Sequence, residues 1–142
     1  MKIKIRRIDS SLPLPKYHTE GAAGFDFYCR ETVVVEPKSI FRIPLNVAIQ
    51  IPDGHMILLA ARSSTSKRGL MMANGVGIMD RDYAGNTDEY HAVVYNYTNE
   101  PVEVARGDRI AQGIVLRSDQ IEWIEVEDLG APDRGGFGTT GL

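Results

Sequence analysis

Apolar residues in this chain recur at every second position, and that period excludes most helical folds. "KIKIRRI" (Lys2 to Ile8) alternates apolar and basic residues. A period of two sends alternate side chains to opposite faces of an extended strand; a helix would need a period of 3.6. Short β-branched or aliphatic runs follow: "TVVVE" (Thr32 to Glu36), "IFRI" (Ile40 to Ile43), "NVAIQI" (Asn46 to Ile51) and "MILLAA" (Met56 to Ala61). "HAVVYNYT" (His91 to Thr98), "PVEVA" (Pro101 to Ala105), "RIAQGIVL" (Arg109 to Leu116) and "IEWIEVE" (Ile121 to Glu127) continue the pattern. Turn signals separate them at Glu36-Pro37, Asp53-Gly54, Asn99-Glu100-Pro101 and Gly107-Asp108. About ten short strands at this spacing predict an all-β sandwich, jelly roll or barrel. Only "RSSTSKRG" (Arg62 to Gly69) breaks the alternation, and it predicts one short helix with a serine cap and a glycine stop.

The 142 residues suit one domain, large enough to bury roughly 68–70% of its unfolded surface. No run reaches the ~18 apolar residues of a membrane helix, so no membrane association is expected. The opening lacks an apolar stretch behind its basic residues, so no secretory signal is expected. A single Cys29 excludes an internal disulfide framework and predicts a reducing, cytoplasmic setting. With three scattered histidines, His18, His55 and His91, it also makes a structural zinc site improbable. The net charge of −3, from 16 basic and 19 acidic residues, argues against nucleic acid as a partner. It leaves room for an anionic small ligand held by a few local arginines.

Four segments carry more chemistry than strands and turns need. "AAGFDFYC" (Ala22 to Cys29) sets Asp26 between two phenylalanines, which reads either as an outward strand carboxylate or as one held near a metal or phosphate. "ARSSTSKRG" combines arginine with hydroxyls, a phosphate-binding composition or a polar capped turn. "NGVGIMDRDYAGNTDEY" (Asn74 to Tyr90) runs a glycine-spaced strand into Asp80, Asp82 and Tyr83. Glycines there admit a ligand close to the backbone. The two carboxylates share one face if the strand continues. The segment is not a Rossmann fingerprint, because the third glycine and the helix pattern are missing. "RGDRIAQ" (Arg106 to Gln112) turns into a strand that carries the polar Gln112.

In this order and spacing the segments resemble the five motifs of the trimeric dUTPases, the dUTP nucleotidohydrolases. "AAGFDFY", "ARSS", "GVGIMDRDYAG", "RGDRIAQ" and "RGGFGTTG" are similar to motifs one to five, from about Ala22 to the C-terminus. The resemblance implies an all-β, jelly-roll-like or distorted β-barrel subunit of the β-clip type. Residues 1–132 would form the β-rich domain and 133–142 a glycine-rich, flexible C-terminal arm closing over the active site. It implies a homotrimer with active sites shared between subunits, and Mg²⁺-dependent cleavage of dUTP to dUMP and pyrophosphate. Asp80 matches the carboxylate that activates the attacking water, and Tyr83 the ring that excludes a ribose 2′-hydroxyl. Asn74 and the backbone from Gly75 to Met79, Gly77 included, match the hairpin that pairs with uracil. Arg62, Ser63, Ser64 and Gln112 match contacts to the phosphate chain. Asp26 matches a residue that reaches Mg²⁺ through water, with no direct protein ligand. Phe137 matches the aromatic that covers uracil, and Arg134, Gly138, Thr139 and Thr140 match groups around the terminal phosphates.

The chain departs from the family pattern in three places. Ser64 stands where glycine is usual, and "TDEY" (Thr87 to Tyr90) lengthens the motif-three loop by about three residues. Arg134 lies closer to Phe137 than the usual motif-five arginine, which leaves Arg106 and Arg68 as substitutes. These departures favour a rival: the related dCTP deaminases share the fold, carry an arginine-serine-serine motif and use as proton shuttle a glutamate shortly after the motif-three glycine, near the position of Glu89. A deaminase, or a bifunctional deaminase and diphosphatase, is therefore the alternative enzyme. Against it stand the Asp80 to Tyr83 stretch and the "GGFGTTG" arm, so Asp88 and Glu89 are expected to form a solvated hairpin tip. A dUTPase-like regulatory binding protein, with the long loop as its contact surface, is the third reading.

Overall fold

The computed structural model describes residues 1–136. Phe137, Gly138, Thr139 and Thr140 lie outside the described residues. Eleven strands are found among the described residues: β1 (Lys4–Arg7), β2 (Phe25–Asp26), β3 (Val33–Val35), β4 (Ile40–Pro44), β5 (Val47–Gln50), β6 (His55–Ala61), β7 (Leu70–Met72), β8 (Gly77–Met79), β9 (His91–Asn96), β10 (Val102–Val104) and β11 (Ala111–Arg117). Every strand pairing is antiparallel. The strands form four small sheets, ordered β1-β5, β10-β3, β2-β11-β6-β8 and β4-β9-β7, around one apolar core. This is the all-β, jelly-roll-like β-clip architecture. No described helix is long and apolar enough to cross a membrane.

The alternation in sequence becomes burial. Along β9, Ala92, Val94 and Asn96 are buried, while His91, Val93 and Tyr95 are half-buried on the other face. Ile43, Ile57, Leu59, Leu70 and Phe27 are fully buried beneath the sheets. Each such side chain contributes about 1.5–3 kcal/mol on leaving water. Asn96 is polar but fully satisfied. Its Nδ2 donates to Val35 O and Glu100 O at 2.9 and 2.8 Å, and its Oδ1 accepts from Thr98 N and Oγ1 at 2.9 and 2.7 Å. Buried Cys29 joins the same core, and desolvation pushes its thiol up to about 12.

Four expectations change. The helix expected over Arg62 to Gly69 is a single 3-10 turn, Ser66–Arg68. It has no serine cap: Thr65 precedes it and sends its hydroxyl to Ile110 O at 2.6 Å instead. Gly69 does stop it, at φ 79°, a conformation few side chains tolerate. The short β7 follows, too brief for its alternation to stand out in the sequence. "IEWIEVE" forms no strand: Ile121, Trp123, Ile124 and Val126 are exposed, and no described strand pairs with them. A strand needs a partner ladder as well as a pattern. Finally, β8 ends at Met79, so Asp80 and Asp82 do not share a strand face. Tyr83 N donates to Asp80 O at 3.3 Å, and the chain turns there.

One glycine is required by close packing. A Cβ on Gly113 would sit 2.7 Å from Phe25 Cζ and 2.9 Å from Phe27 Cε2. Both rings belong to an edge-to-face pair with centroids 5.2 Å apart, so neither can yield alone. Gly113→Ala is expected to cost about 1–3 kcal/mol as overpacking, read from the urea midpoint of unfolding.

Candidate functional site

Three of the sequence segments converge at one end of the β2-β11-β6 ladder. β2 brings Asp26 opposite Gln112 of β11, and Gln112 faces Ala60 of β6. Arg62 follows directly after β6. Its Nε lies 2.9 Å from Asp26 Oδ1, and its Nη1 donates to Arg109 O at 2.9 Å and more weakly to Ser64 Oγ at 3.4 Å. Arg109 Nη1 lies 3.2 Å from the other Asp26 oxygen. Asp26 is only 7% exposed, so it is not the outward strand carboxylate of the simpler reading. A buried carboxylate persists because two guanidiniums compensate it.

The Nη2 donors of Arg62 have no protein partner among the described residues. A planar fork held from behind, with donors left over, is suited to a phosphate. Ser63 is exposed beside it, and Gln112 Nε2 donates to Ala61 O at 3.0 Å, which closes the corner. Arg109 and His18 were not anticipated. Arg109 Nη1 also meets His18 Nε2. Desolvation, then Arg109, hold the imidazole below its ordinary pKa, so it accepts that bond as a neutral ring. Tertiary proximity alone joins these two residues, which stand 91 positions apart.

Asp26 bears on metal binding too. Each of its oxygens already faces a guanidinium. Among the described residues no three or more His, Cys, Asp or Glu groups stand together as a metal cage. With both oxygens engaged, Asp26 fits contact with a hydrated Mg²⁺ through water better than direct ligation.

The third segment builds a separate depression of about 390 Å³. Asn74, Gly77, Met79, Asp80 and Tyr83 line it, as the sequence led us to expect. Arg42 of β4 and His91 and Val93 of β9 form the opposite wall and were not foreseen. β8 is the outer strand of its sheet, so half of its backbone groups lack a strand partner on that side. Tyr83 stacks on buried Tyr90 with ring centroids 6.2 Å apart. The Tyr90 hydroxyl has no hydrogen-bond partner among the described residues, and burial raises its pKa.

The expected solvated tip at Asp88 and Glu89 is half corrected. Asp88 does close the loop locally, accepting from Gly85 N at 2.7 Å. Glu89 is 8% exposed, and its carboxylate accepts from Arg30 Nε at 2.8 Å and Asn46 N at 2.9 Å. Both donors meet Oε1, so Glu89 is an inward, ion-paired residue that also lines the depression, and nothing among the described residues favours the deaminase reading.

The two halves of the site are far apart in one chain. Met79 faces Ile57, which puts Asp80 at the start of β6, whereas Arg62 follows its end. About six residues of strand separate them, on the order of 20 Å at ~3.3 Å per residue. Arg62, Ser63, Ser64 and Gln112 therefore do not line the depression that holds Asp80 and Tyr83. Two reserve arginines are also spoken for: Arg68 pairs with Asp108 at 2.6 Å and Arg106 with Asp9 at 2.7 Å. Arg134 is exposed, without regular structure.

Asp26→Ala removes the group that holds Arg62 and Arg109 together. The expected loss is about 1–3 kcal/mol, the scale of hydrogen bonds to a charged partner, read by thermal denaturation. An unchanged Tm would show that the arginines hold their places without it.

Comparison with known proteins agrees with this geometry. The dUTPase family model matches residues 10–141. The chain is 37% identical to a deoxyuridine 5'-triphosphate nucleotidohydrolase of Helicobacter pylori over 145 residues, covering 100% of this chain and 98% of that one. It is 41% identical to the enzyme of the same name from Anaeromyxobacter, covering 98% and 97%. The crystal structure of dUTPase from Streptococcus mutans superposes with a TM-score of 0.77 at 29% identity, over 84% of this chain and 98% of that one. A Staphylococcus bacteriophage 80alpha dUTPase with dUpNHpp shares the fold at a TM-score of 0.85 and 23% identity, over 99% of both chains. With the Asp26–Arg62 corner and the Asp80–Tyr83 depression already in place, the match over nearly its full length makes this chain a member of the dUTPase family.

Proposed function

We propose that this protein is a dUTP diphosphatase that hydrolyses dUTP to dUMP and pyrophosphate by water attack on the α-phosphorus. The observation that carries the reading is the depression along the open edge of β8, with Asp80 and Tyr83 beside it. A backbone carbonyl on that edge accepts uracil N3–H but meets a lone pair on cytosine N3. A buried acceptor left unpaired discriminates strongly between the two bases. Tyr83, stacked on Tyr90, occupies the volume of a ribose 2′-hydroxyl.

Asp80 is exposed at the end of β8, where it accepts the proton of the attacking water. A P–O bond forms to the α-phosphorus as its bond to the bridging oxygen of the β-phosphate breaks, and pyrophosphate leaves. Arg62 and Ser63 hold the phosphate chain, with Gln112 beside them and Asp26 fixing the Arg62 fork. A bound Mg²⁺ would supply charge neutralisation for the leaving group, with Asp26 placed to meet its waters. Arg134, Phe137, Gly138, Thr139 and Thr140 belong to the proposed closing arm. A reducing, cytoplasmic setting suits the single buried Cys29.

The active form is a homotrimer whose sites are shared between subunits. The separation of Arg62 from Asp80 along β6 supports this, because a compact nucleotide needs both. Two apolar surfaces support it as well. Ile40, Tyr95 and Met71 align across β4-β9-β7, with Ile40 and Met71 exposed. Trp123 and Ile124 are both 85% exposed. Apolar surface of this kind marks an interaction site.

Asp80→Asn keeps the shape but cannot take a proton. Turnover of dUTP is expected to fall by about 10²–10⁴-fold, with nucleotide binding retained by calorimetry. Retention of more than about a tenth of kcat would remove Asp80 as the base. Release of orthophosphate, or deamination of dCTP at a comparable rate, would contradict the reaction itself. For the assembly, Asp80→Asn and Arg62→Ala chains refolded together at equal concentration should recover about a quarter of wild-type activity, since independent chains then complete a quarter of the sites. Mixed trimers confirmed by mass, yet without activity, would place both residues in one chain's site.

A further inference from the structure

Tyr83 does not hold itself in place. Its hydroxyl donates to the backbone carbonyl of Glu89 at 3.1 Å. His91 Nδ1 lies 2.8 Å from the same oxygen, and since a carbonyl only accepts, that nitrogen carries the proton. Two side chains of the depression therefore hang on one carbonyl. Glu89 itself lines the depression, and its side-chain Oε1 accepts from Arg30 Nε and Asn46 N. Asn46 takes φ 69°, a left-handed conformation that asparagine tolerates better than most residues. It is held there by Asp9, whose N–H donates to Asn46 Oδ1 at 2.7 Å and whose carbonyl accepts from Asn46 Nδ2 at 3.0 Å. Leu45 N to Tyr90 O and Tyr90 N to Val47 O, both 2.8 Å, complete the stitch.

We propose that Glu89 is a positioning residue that sets sugar discrimination: its carboxylate, clamped by Arg30 and Asn46, fixes the carbonyl on which Tyr83 is hung. This rests on the reading of Tyr83 as the ring that excludes a 2′-hydroxyl. A burial-only role would be met by an apolar residue of similar size, often at no loss of stability. A charged group tied to one guanidinium and one backbone amide instead holds a position, here at a residue of the depression's own wall. The loop from Gly85 to Asp88 closes on itself through Gly85 N and Asp88 Oδ2, so it adds length without loosening Glu89.

The test compares kcat/KM for dUTP with that for UTP in Glu89→Ala, Glu89→Gln, Arg30→Met, Tyr83→Phe and Tyr83→Ala, with Tm measured for each. Glu89→Ala is expected to lower the dUTP:UTP ratio about tenfold or more, within the scale of a small misplacement at a reacting site. Glu89→Gln keeps an acceptor for both donors and should preserve most of the ratio. Tyr83→Phe added to Glu89→Ala should lower the ratio little further, because both break one tether. If Glu89→Ala does not fold, Arg30→Met reads the same tether from its more exposed end. A wild-type ratio in whichever of these two folds, while Tyr83→Ala collapses it, overturns the role of Glu89 and leaves Tyr83 as the selector. A wild-type ratio in Tyr83→Ala overturns both. A stability loss with the ratio intact reduces Glu89 to a structural ion pair.

Discussion

The antiparallel pairing of β6 sets the geometry on which the rest depends. Along one edge it runs in register with β11 from His55 opposite Arg117 to Ala61 opposite Ala111. Along the other edge it holds β8, with Leu59 opposite Gly77 and Ile57 opposite Met79. Strand β6 thus has Arg62 just past its end and, through its pairing with β8, Asp80 beside its start. Because a strand cannot fold back on itself, those groups stay apart within a chain. The assembly proposed above follows from that rigidity.

Buried polar groups fix the parts that bonding between strands leaves loose. Asp26 ties β2 to the segment after β6 and to the start of β11 through Arg62 and Arg109. Glu89 ties the long motif-three loop to the turn between β4 and β5 through Asn46, and to the segment between β2 and β3 through Arg30. Both carboxylates are almost fully buried, and both are satisfied by donors from distant sequence. Desolvating a charge is costly unless its geometry is well met. The same requirement that keeps these carboxylates paired fixes the Arg62 guanidinium and the carbonyl that the Tyr83 hydroxyl meets.

Much of this was legible in the residues. Strands β6, β9 and β11 follow from alternation, because each buries one face on the core, while β4 and β5 were legible as short aliphatic runs and do not alternate in burial. The depression gathers Asn74, Gly77, Met79, Asp80 and Tyr83 because they are nearly contiguous. The expected strand at Ile121 to Glu127 did not form, since its pattern has no partner strand among the described residues. The expected solvated tip was half wrong, since nothing local to "TDEY" announces Arg30 or Asn46 as partners.

From the sequence alone came the all-β class, the order of the motifs and the residue types the chemistry needs. These are set by local periodicity and by short spacings, which survive without knowledge of the fold. Only the tertiary structure decided which groups meet. It buried Asp26 between two arginines, turned Glu89 inward, added Arg42, Arg109, His18 and His91, and parted Arg62 from Asp80 along β6. Such contacts join residues tens of positions apart, and packing selects them by satisfying buried charge, a demand that no local stretch of sequence expresses.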